Sequence, residues 1–114
     1  MTVSLPGRAA FEAVKTATHT GAGAAYAAVG TQLAHPAYSI LITSSFDKAI
    51  WLSTDGTNDY LLIPAGSNVA IDIAANKQGT AILSLPVGTQ FYMKQGPDGA
   101  PSTGDIGITP MYAR

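Results

Sequence analysis

The chain has 114 residues and a formal net charge of −1, from six basic and seven acidic residues. Apolar residues make up 46% of it and charged residues only 11%. This balance excludes ordinary disorder, which requires low hydrophobicity and high charge, and the length suits one domain. The basic residues occur singly, so no run of positive charge is present to neutralise phosphates, and nucleic-acid binding is not expected.

The chain contains no cysteine, which excludes disulfides, thiolate metal sites and cysteine nucleophiles. Its first ten residues lack the cationic and apolar regions of a signal peptide. Every apolar stretch is far shorter than the roughly 20 residues that span a bilayer. We therefore expect no membrane contact, and synthesis in a cytoplasm.

The part of the chain before Pro36 is poor in large apolar side chains. Residues 11–16 (FEAVKT) are predicted to form a first strand. Residues 17–37 are rich in Ala, Gly and Thr, and their glycines are too closely spaced for a stable helix, since each interior Gly costs about 1 kcal/mol relative to Ala. We predict an extended or irregular segment there, so that residues 1–36 form a strand and an Ala/Gly-rich arm.

The part after Pro36, residues 37–114, has the pattern of a β-sandwich core. Runs of β-branched and aromatic residues alternate with turns that contain Gly or Pro. Gly56 and Gly66 lie in turns where a positive φ is expected. The predicted strands are residues 38–43, 49–54, 60–63, 69–73, 81–85, 90–94 and 106–112.

About seven or eight short strands at regular spacing, with no helical period after Pro36, predict an all-β fold. The fold is expected to be an antiparallel β-sandwich, or a jelly-roll-like small barrel, with an extended N-terminal segment. The two parts of the chain are expected to form one domain overall. The predicted core consists of Ile40, Ile42, Ile50, Leu52, Leu61, Ile63, Val69, Ile71, Ile73, Ile82, Phe91 and Ile108.

No catalytic motif is recognisable in the sequence. His19 and His35 are far apart and have no carboxylate beside them in sequence, so exposed or partly packed imidazoles are favoured over a metal site or a general base. Ser67 follows Gly66 in PAGSN, where a turn is favoured over a nucleophile because the elbow pattern is missing. We predict no catalytic, cofactor-binding or metal-binding residue, and we do not expect an enzyme.

Residues 55–59 (DGTND) form the most suggestive polar cluster. Oxygen-bearing side chains at Asp55, Thr57 and Asp59 resemble the ligands of a calcium loop. The EF-hand pattern is absent, however, because Gly stands second and no bidentate Glu follows. A hairpin turn explains every residue and is favoured. The same interpretation is favoured for Asp98 and Asp105, which flank a second loop.

Aromatic residues offer a further candidate surface. Their flat rings can stack on sugar faces, and on a strand Trp51 would face away from Ile50 and Leu52. The alternative, which we favour, is that Trp51 packs under a loop or against another subunit. The candidate aromatic residues are Trp51, Tyr60, Tyr92 and Tyr112.

The stretch of residues 38–73, YSILITSSFDKAIWLSTDGTNDYLLIPAGSNVAIDI, resembles the small β-sandwich structural proteins of tailed bacteriophages. Residues 50–56, 61–66 and 69–72 follow their order of strands and turns. The resemblance covers about a third of the chain and carries over no functional residue. It implies a virion protein present in many copies, such as a capsid decoration protein, a neck or collar component in the head–tail connection, or a tail-associated adaptor.

Together with this resemblance, the missing catalytic motif implies a non-enzymatic virion subunit, made in the host bacterial cytoplasm. We expect a homo-oligomer that contacts major capsid, portal or neck proteins through β-edges and an N-terminal arm, without cofactors. The alternative is a small carbohydrate- or receptor-binding module of a phage fibre.

Overall fold

A computed structural model describes residues 9–73 and 84–113 of the chain. Two antiparallel sheets, sheet A and sheet B, pack face to face, which confirms the predicted all-β sandwich. The described residues contain one short 3-10 turn, His19–Gly21, and no helix long and apolar enough to cross a membrane. The strands are β1 Ala9–Phe11, β2 Lys15–Thr18, β3 Ala27–Val29, β4 Ser39–Ser44, β5 Ile50–Ser53, β6 Leu61–Ile63, β7 Asn68–Asp72, β8 Phe91–Gln95 and β9 Asp105–Ala113.

Sheet A is built around β9, its longest strand. One side of β9 pairs with β4, and β4 pairs in turn with β7. The other side pairs with β1 near one end and with β2 near the other. A single strand, β9, therefore joins the beginning of the described chain to the middle of the sandwich.

Sheet B has the order β3–β8–β5–β6. Strands β5 and β6 form a hairpin in which Ile50 lies opposite Ile63. Strand β8 joins this hairpin to β3, which comes from the Ala/Gly-rich segment. Each sheet thus contains strands from both parts of the chain.

The core lies between the sheets, where period-two alternation sends every second side chain inward. Seven predicted core residues are almost completely buried, and Val69 and Ile71 pack partly buried against them. Ile73 is also partly buried, and Ile82 lies outside the described residues. The seven are Ile40, Ile42, Ile50, Leu52, Ile63, Phe91 and Ile108.

The prediction that Leu61 belongs to the core is wrong, because 36% of this residue is exposed. Leu61 lies on β6, a three-residue strand at the edge of sheet B. It lines an apolar cavity of about 230 Å³ that opens between the sheets. The core also includes residues that the pattern did not assign to it: Val29, Leu33, Phe46, Met93 and Ile106.

Most predicted strands are found within a residue or two of their expected bounds. The predicted first strand, residues 11–16, is instead divided into β1 and β2, which pair with successive parts of β9. Of the predicted strand 81–85, only Ser84 and Leu85 lie in the described part, and Leu85 forms an isolated bridge with Ala37.

From Ala9 onward, the predicted N-terminal arm pairs with later strands of the same chain. Strands β1, β2 and β3 find their hydrogen-bonding partners on β9 and β8. Backbone pairing and buried Val29 and Leu33 supply what the small side chains do not.

The two predicted glycine turns are confirmed. Gly56 has φ of +73° and Gly66 has φ of +57°, in the left-handed region where a Cβ atom is unfavourable. Gly56 lies in the loop between β5 and β6, and Gly66 lies between β6 and β7. The first turn closes the β5–β6 hairpin of sheet B, and the second leads the chain from sheet B to β7 in sheet A.

Candidate functional site

The loop between β5 and β6 is held by one carboxylate, that of Asp55. Its Oδ1 accepts hydrogen bonds from the backbone N–H of Thr57 at 2.8 Å, the N–H of Asn58 at 2.9 Å and the hydroxyl of Ser53 at 2.8 Å. Its Oδ2 accepts from the Asn58 amide at 2.8 Å and the Tyr60 hydroxyl at 2.7 Å. Each carboxylate oxygen therefore accepts hydrogen bonds from residues of the loop and its two ends.

These contacts explain the loop as an Asx-type turn. The N–H of Asn58 and the other donors hold the pKa of Asp55 well below its usual range, because they favour the ionised form. Ser53 adds to the turn by accepting from the N–H groups of Asp55 and Gly56. The oxygen-rich pattern that suggested calcium thus serves the hairpin. Within residues 9–73 and 84–113, no group of three acidic or histidine side chains is placed to hold a metal.

A second polar cluster joins this loop to the Ala/Gly-rich segment. The Tyr26 hydroxyl donates to Asp59 Oδ1 at 2.5 Å, and Lys94 Nζ lies 3.0 Å from the same oxygen. Lys94 Nζ also lies 4.9 Å from the centre of the Tyr26 ring. Burial and the neighbouring Asp59 carboxylate both raise the pKa of Tyr26, so its hydroxyl stays a donor at neutral pH.

A third cluster, the Glu12 clasp (Glu12, Lys15, Ala34 and His35), fastens the loop after β3 to sheet A. Glu12 Oε2 lies 2.8 Å from Lys15 Nζ. Glu12 also accepts from the backbone N–H groups of Ala34 and His35, each with a contact of 3.0 Å. Lys15 donates further to Thr31 Oγ1 at 3.1 Å. Both charged side chains are less than a tenth exposed.

The clasp strongly favours ionised Glu12. Burial alone would raise its pKa, but the hydrogen bonds from Lys15, Ala34 and His35 outweigh burial and lower the pKa to about 2. The ring of His35 completes the arrangement, with Nδ1 3.1 Å from Glu12 Oε1 and a stacked contact of 3.8 Å to Tyr112. The carboxylate partner of His35 lies 23 residues upstream, so no local pattern could have indicated it.

The remaining candidate residues do not form a catalytic arrangement with one another. His19 lies in the 3-10 turn that follows β2. The Ser67 hydroxyl donates to the carbonyl of Pro64 at 2.6 Å and thus closes the turn before β7. The backbone N–H of Asp105 donates to Ser45 at the start of β9. The Ser67 contact closes a turn, whereas the Asp105 contact joins the start of β9 to the residue after β4.

The four candidate aromatic residues are distributed over separate parts of the fold. Tyr112 belongs to β9 and stacks on His35, whereas Tyr60 donates to the Asp55 loop. Tyr92 packs beneath Gly56, where an added Cβ atom would lie 3.5 Å from the ring. Trp51 alternates with buried Ile50 and Leu52 and so lies on the outer face of sheet B, as expected for a strand.

The outer face of sheet A carries the most exposed apolar side chains of the strands. Phe11 is 73% exposed and Leu41 is 45% exposed. With Met111, Thr109 and Ala70 they line a shallow groove of about 560 Å³. This outer face of sheet A is a candidate contact surface, since neighbouring exposed apolar side chains often mark sites of association.

A search of protein-family models, of curated proteins and of solved structures finds no match to this chain.

Proposed function

We propose that this chain is a non-enzymatic structural subunit of a bacteriophage virion, present in many copies on the capsid or at the head–tail neck. The single observation that carries the proposal is the apolar outer face of sheet A, centred on Phe11 and Leu41. A protein with so few charges has little electrostatic repulsion to keep its copies apart. A face of this kind is suited to burial against neighbouring subunits.

The order of strands and turns supports a virion role in particular. The segment that resembles phage sandwich proteins forms β4 to β7, with glycine turns where the resemblance expects them. The contacts of the polar side chains in these turns are internal, as at Asp55 and Ser67. Such a scaffold supplies stable surfaces, and its neighbours would be major capsid, portal or neck proteins.

The proposal is tested by incorporation into particles. Phage is grown from the genome that carries this gene, with an affinity tag on the chain, and particles are purified on a density gradient. We expect the tagged chain to sediment with intact particles in many copies, as measured by quantitative mass spectrometry and immunogold labelling. Its absence from purified particles, with the protein present in the infected cell, would refute the virion role.

A glycan-binding module is the second candidate, and the position of Trp51 favours it. Trp51 faces outward on sheet B, with Leu62 and Lys94 opposite it on the adjacent strands. The Tyr26–Asp59–Lys94 cluster supplies hydrogen-bonding groups on the same sheet. A glycan array distinguishes this function: wild-type protein would be retained, Trp51→Ala would not, and Tyr112→Phe on the other sheet would bind as wild type.

A further inference from the structure

The side chains on the outer face of sheet A are arranged in rows across the strands. One row runs from β1 to β7 through Phe11, Met111, Ser39 and Asp72, which are successive partners in the registers of the four strands. In this row the large apolar side chains lie on β1 and β9, and the smaller polar ones lie on β4 and β7. The side chains of this row therefore project farther from the sheet on β1 and β9 than on β4 and β7.

In the next row, the larger side chain lies on β4 and the smaller one on β9. Thr109 on β9 lies beside Leu41 on β4, and Leu41 lies beside Ala70 on β7. The large side chain of this row is on β4, next to the small Ala70. A second copy related by a two-fold rotation would therefore place its large side chains opposite the smaller ones of the same row.

We propose that this face binds the same face of a second copy, about a two-fold axis that runs parallel to the strands between β9 and β4. Such an axis places β9 over the partner's β4 and β1 over the partner's β7. Met111 then meets Ser39, Leu41 meets Thr109, and Phe11 lies opposite Asp72, next to the depression at Ala70. Contacts of this kind are made twice, as in any isologous interface.

The charges on the face are compatible with this arrangement. The outward side chains of the five strands include no Lys or Arg, and their carboxylates, Asp72 and Asp105, lie near opposite ends of the face. Asp72 is exposed at the edge strand, so its carboxylate can stay in contact with water when Phe11 of the second copy lies beside it. No pair of like charges needs to meet at the centre.

The area is close to what a stable interface needs. At usual strand spacings, sheet A presents about 430 Å² of flat face per copy, counting about 16 Å² per strand residue. Covering it in both copies buries on the order of 1,000 Å² once side-chain relief is included, which is near the lower limit of specific interfaces. Sheets pack face to face about 10 Å apart, so the exposed Phe11 ring fits the gap.

This inference deepens the proposed structural role, and it rests on that role only in expecting several copies together. Self-association is measured in solution without particles, whereas the virion role is measured by incorporation. A chain that enters particles but stays monomeric in solution refutes the face-to-face contact alone. A chain that forms the dimer but is missing from particles refutes the virion role alone.

The first test compares variants by sedimentation equilibrium from about 1 to about 100 µM, a range that resolves micromolar dissociation constants. Wild-type protein should dimerise. Phe11→Glu should weaken the dimer at least about tenfold, because it replaces an apolar ring at the interface with a carboxylate that loses its contact with water. Leu62→Glu, on the outer face of sheet B, is the matched control and should leave the dimer unchanged. Far-UV circular dichroism checks that each variant remains folded.

The second test uses rescue to establish the geometry. In one chain Phe11 and Asp72 lie on opposite edges of sheet A, three strand spacings or about 14 Å apart. Adding Asp72→Lys to Phe11→Glu should therefore restore the dimer only by contact between copies. A wild-type chain that is monomeric throughout, a Phe11→Glu dimer as strong as wild type, or a double variant without rescue would overturn the proposal.

Discussion

Residues 9–36 and residues 37–113 contribute strands to the same two sheets, but different side chains hold them there. After Pro36, alternating Ile, Leu and Phe side chains fill the space between the sheets. Before it, the segment is fastened by backbone pairing, a few buried apolar side chains and the ion pair of the Glu12 clasp. In a segment that is poor in apolar residues, backbone pairing and an ion pair thus supplement the few buried side chains.

The largest loss of stability should come from a substitution in the apolar core between the sheets. Ile42 is completely buried on β4, so Ile42→Ala should lower the free energy of unfolding by about 3 to 4 kcal/mol, through lost burial and the cavity left behind. Urea denaturation measures it. Ile42→Val, which removes one methylene, should cost about 1 kcal/mol. An alanine variant as stable as wild type would contradict the assignment of β4 to the centre of the core.

In residues 9–36, neutralising the Glu12 carboxylate should lower the stability of the fold. Glu12→Gln leaves the Lys15 ammonium buried without its ion-pair partner, although Thr31 and the Gln32 carbonyl still accept from it. We expect a loss of about 2 kcal/mol, less than for a fully isolated buried charge. Hydrogen exchange should show faster opening around Ala34 and His35 than in β4. Uniform loss of protection in both regions would mean that the clasp does not stabilise its segment separately.

A substitution at Gly56 should destabilise the protein through backbone strain in the turn. Gly56→Val forces a β-branched residue to φ of +73° beside the Tyr92 ring, so we expect a loss of more than about 1 kcal/mol. Thermal denaturation measures it. The matched control is Gly23→Ala in the Ala/Gly-rich segment, where an added Cβ atom meets no other atom within 4 Å. Equal stability of both variants would contradict the turn assignment.

The contribution of Glu12 to stability should also depend on pH. Folding lowers the pKa of Glu12 from 4.5 to about 2. Its stabilising contribution is therefore fully present above about pH 4.5, and it is lost as the pH falls toward 2. Subtracting the Glu12→Gln profile from the wild-type profile isolates this contribution from those of other carboxylates. A difference that does not shrink between pH 4.5 and 2 would contradict the clasp geometry.

The difference between the two regions also explains which features the sequence could predict. Period-two patterns and glycine turns are local signals, so the strands from β4 to β9 and the turns at Gly56 and Gly66 were predictable within a residue or two. Leu61 follows the same pattern, but its exposure depends on β6 lying at the edge of sheet B, and local alternation does not encode strand order.

The candidate surfaces were predictable only in part. That Trp51 faces outward follows from its position between Ile50 and Leu52, and the structure agrees. The contact between Glu12 and His35 depends on a loop returning across 23 residues, and the alignment of Phe11 with Met111 depends on the pairing of the first strand with the last. Such long-range placements follow from topology, which one sequence does not specify by its periodicity.

The pairing of β9 with β1 and β2 has a consequence for how the protein folds during synthesis. Residues 9–18 can complete sheet A only after residues 105–113 have left the ribosome, since these are their hydrogen-bonding partners. Closing so long a loop costs conformational entropy before any contact compensates for it, and folds dominated by such contacts form slowly, in milliseconds to seconds. Until then the edge of β4 that pairs with β9 lacks its hydrogen-bonding partner. A chaperone that binds emerging apolar strands would therefore meet this chain before β9 has left the ribosome.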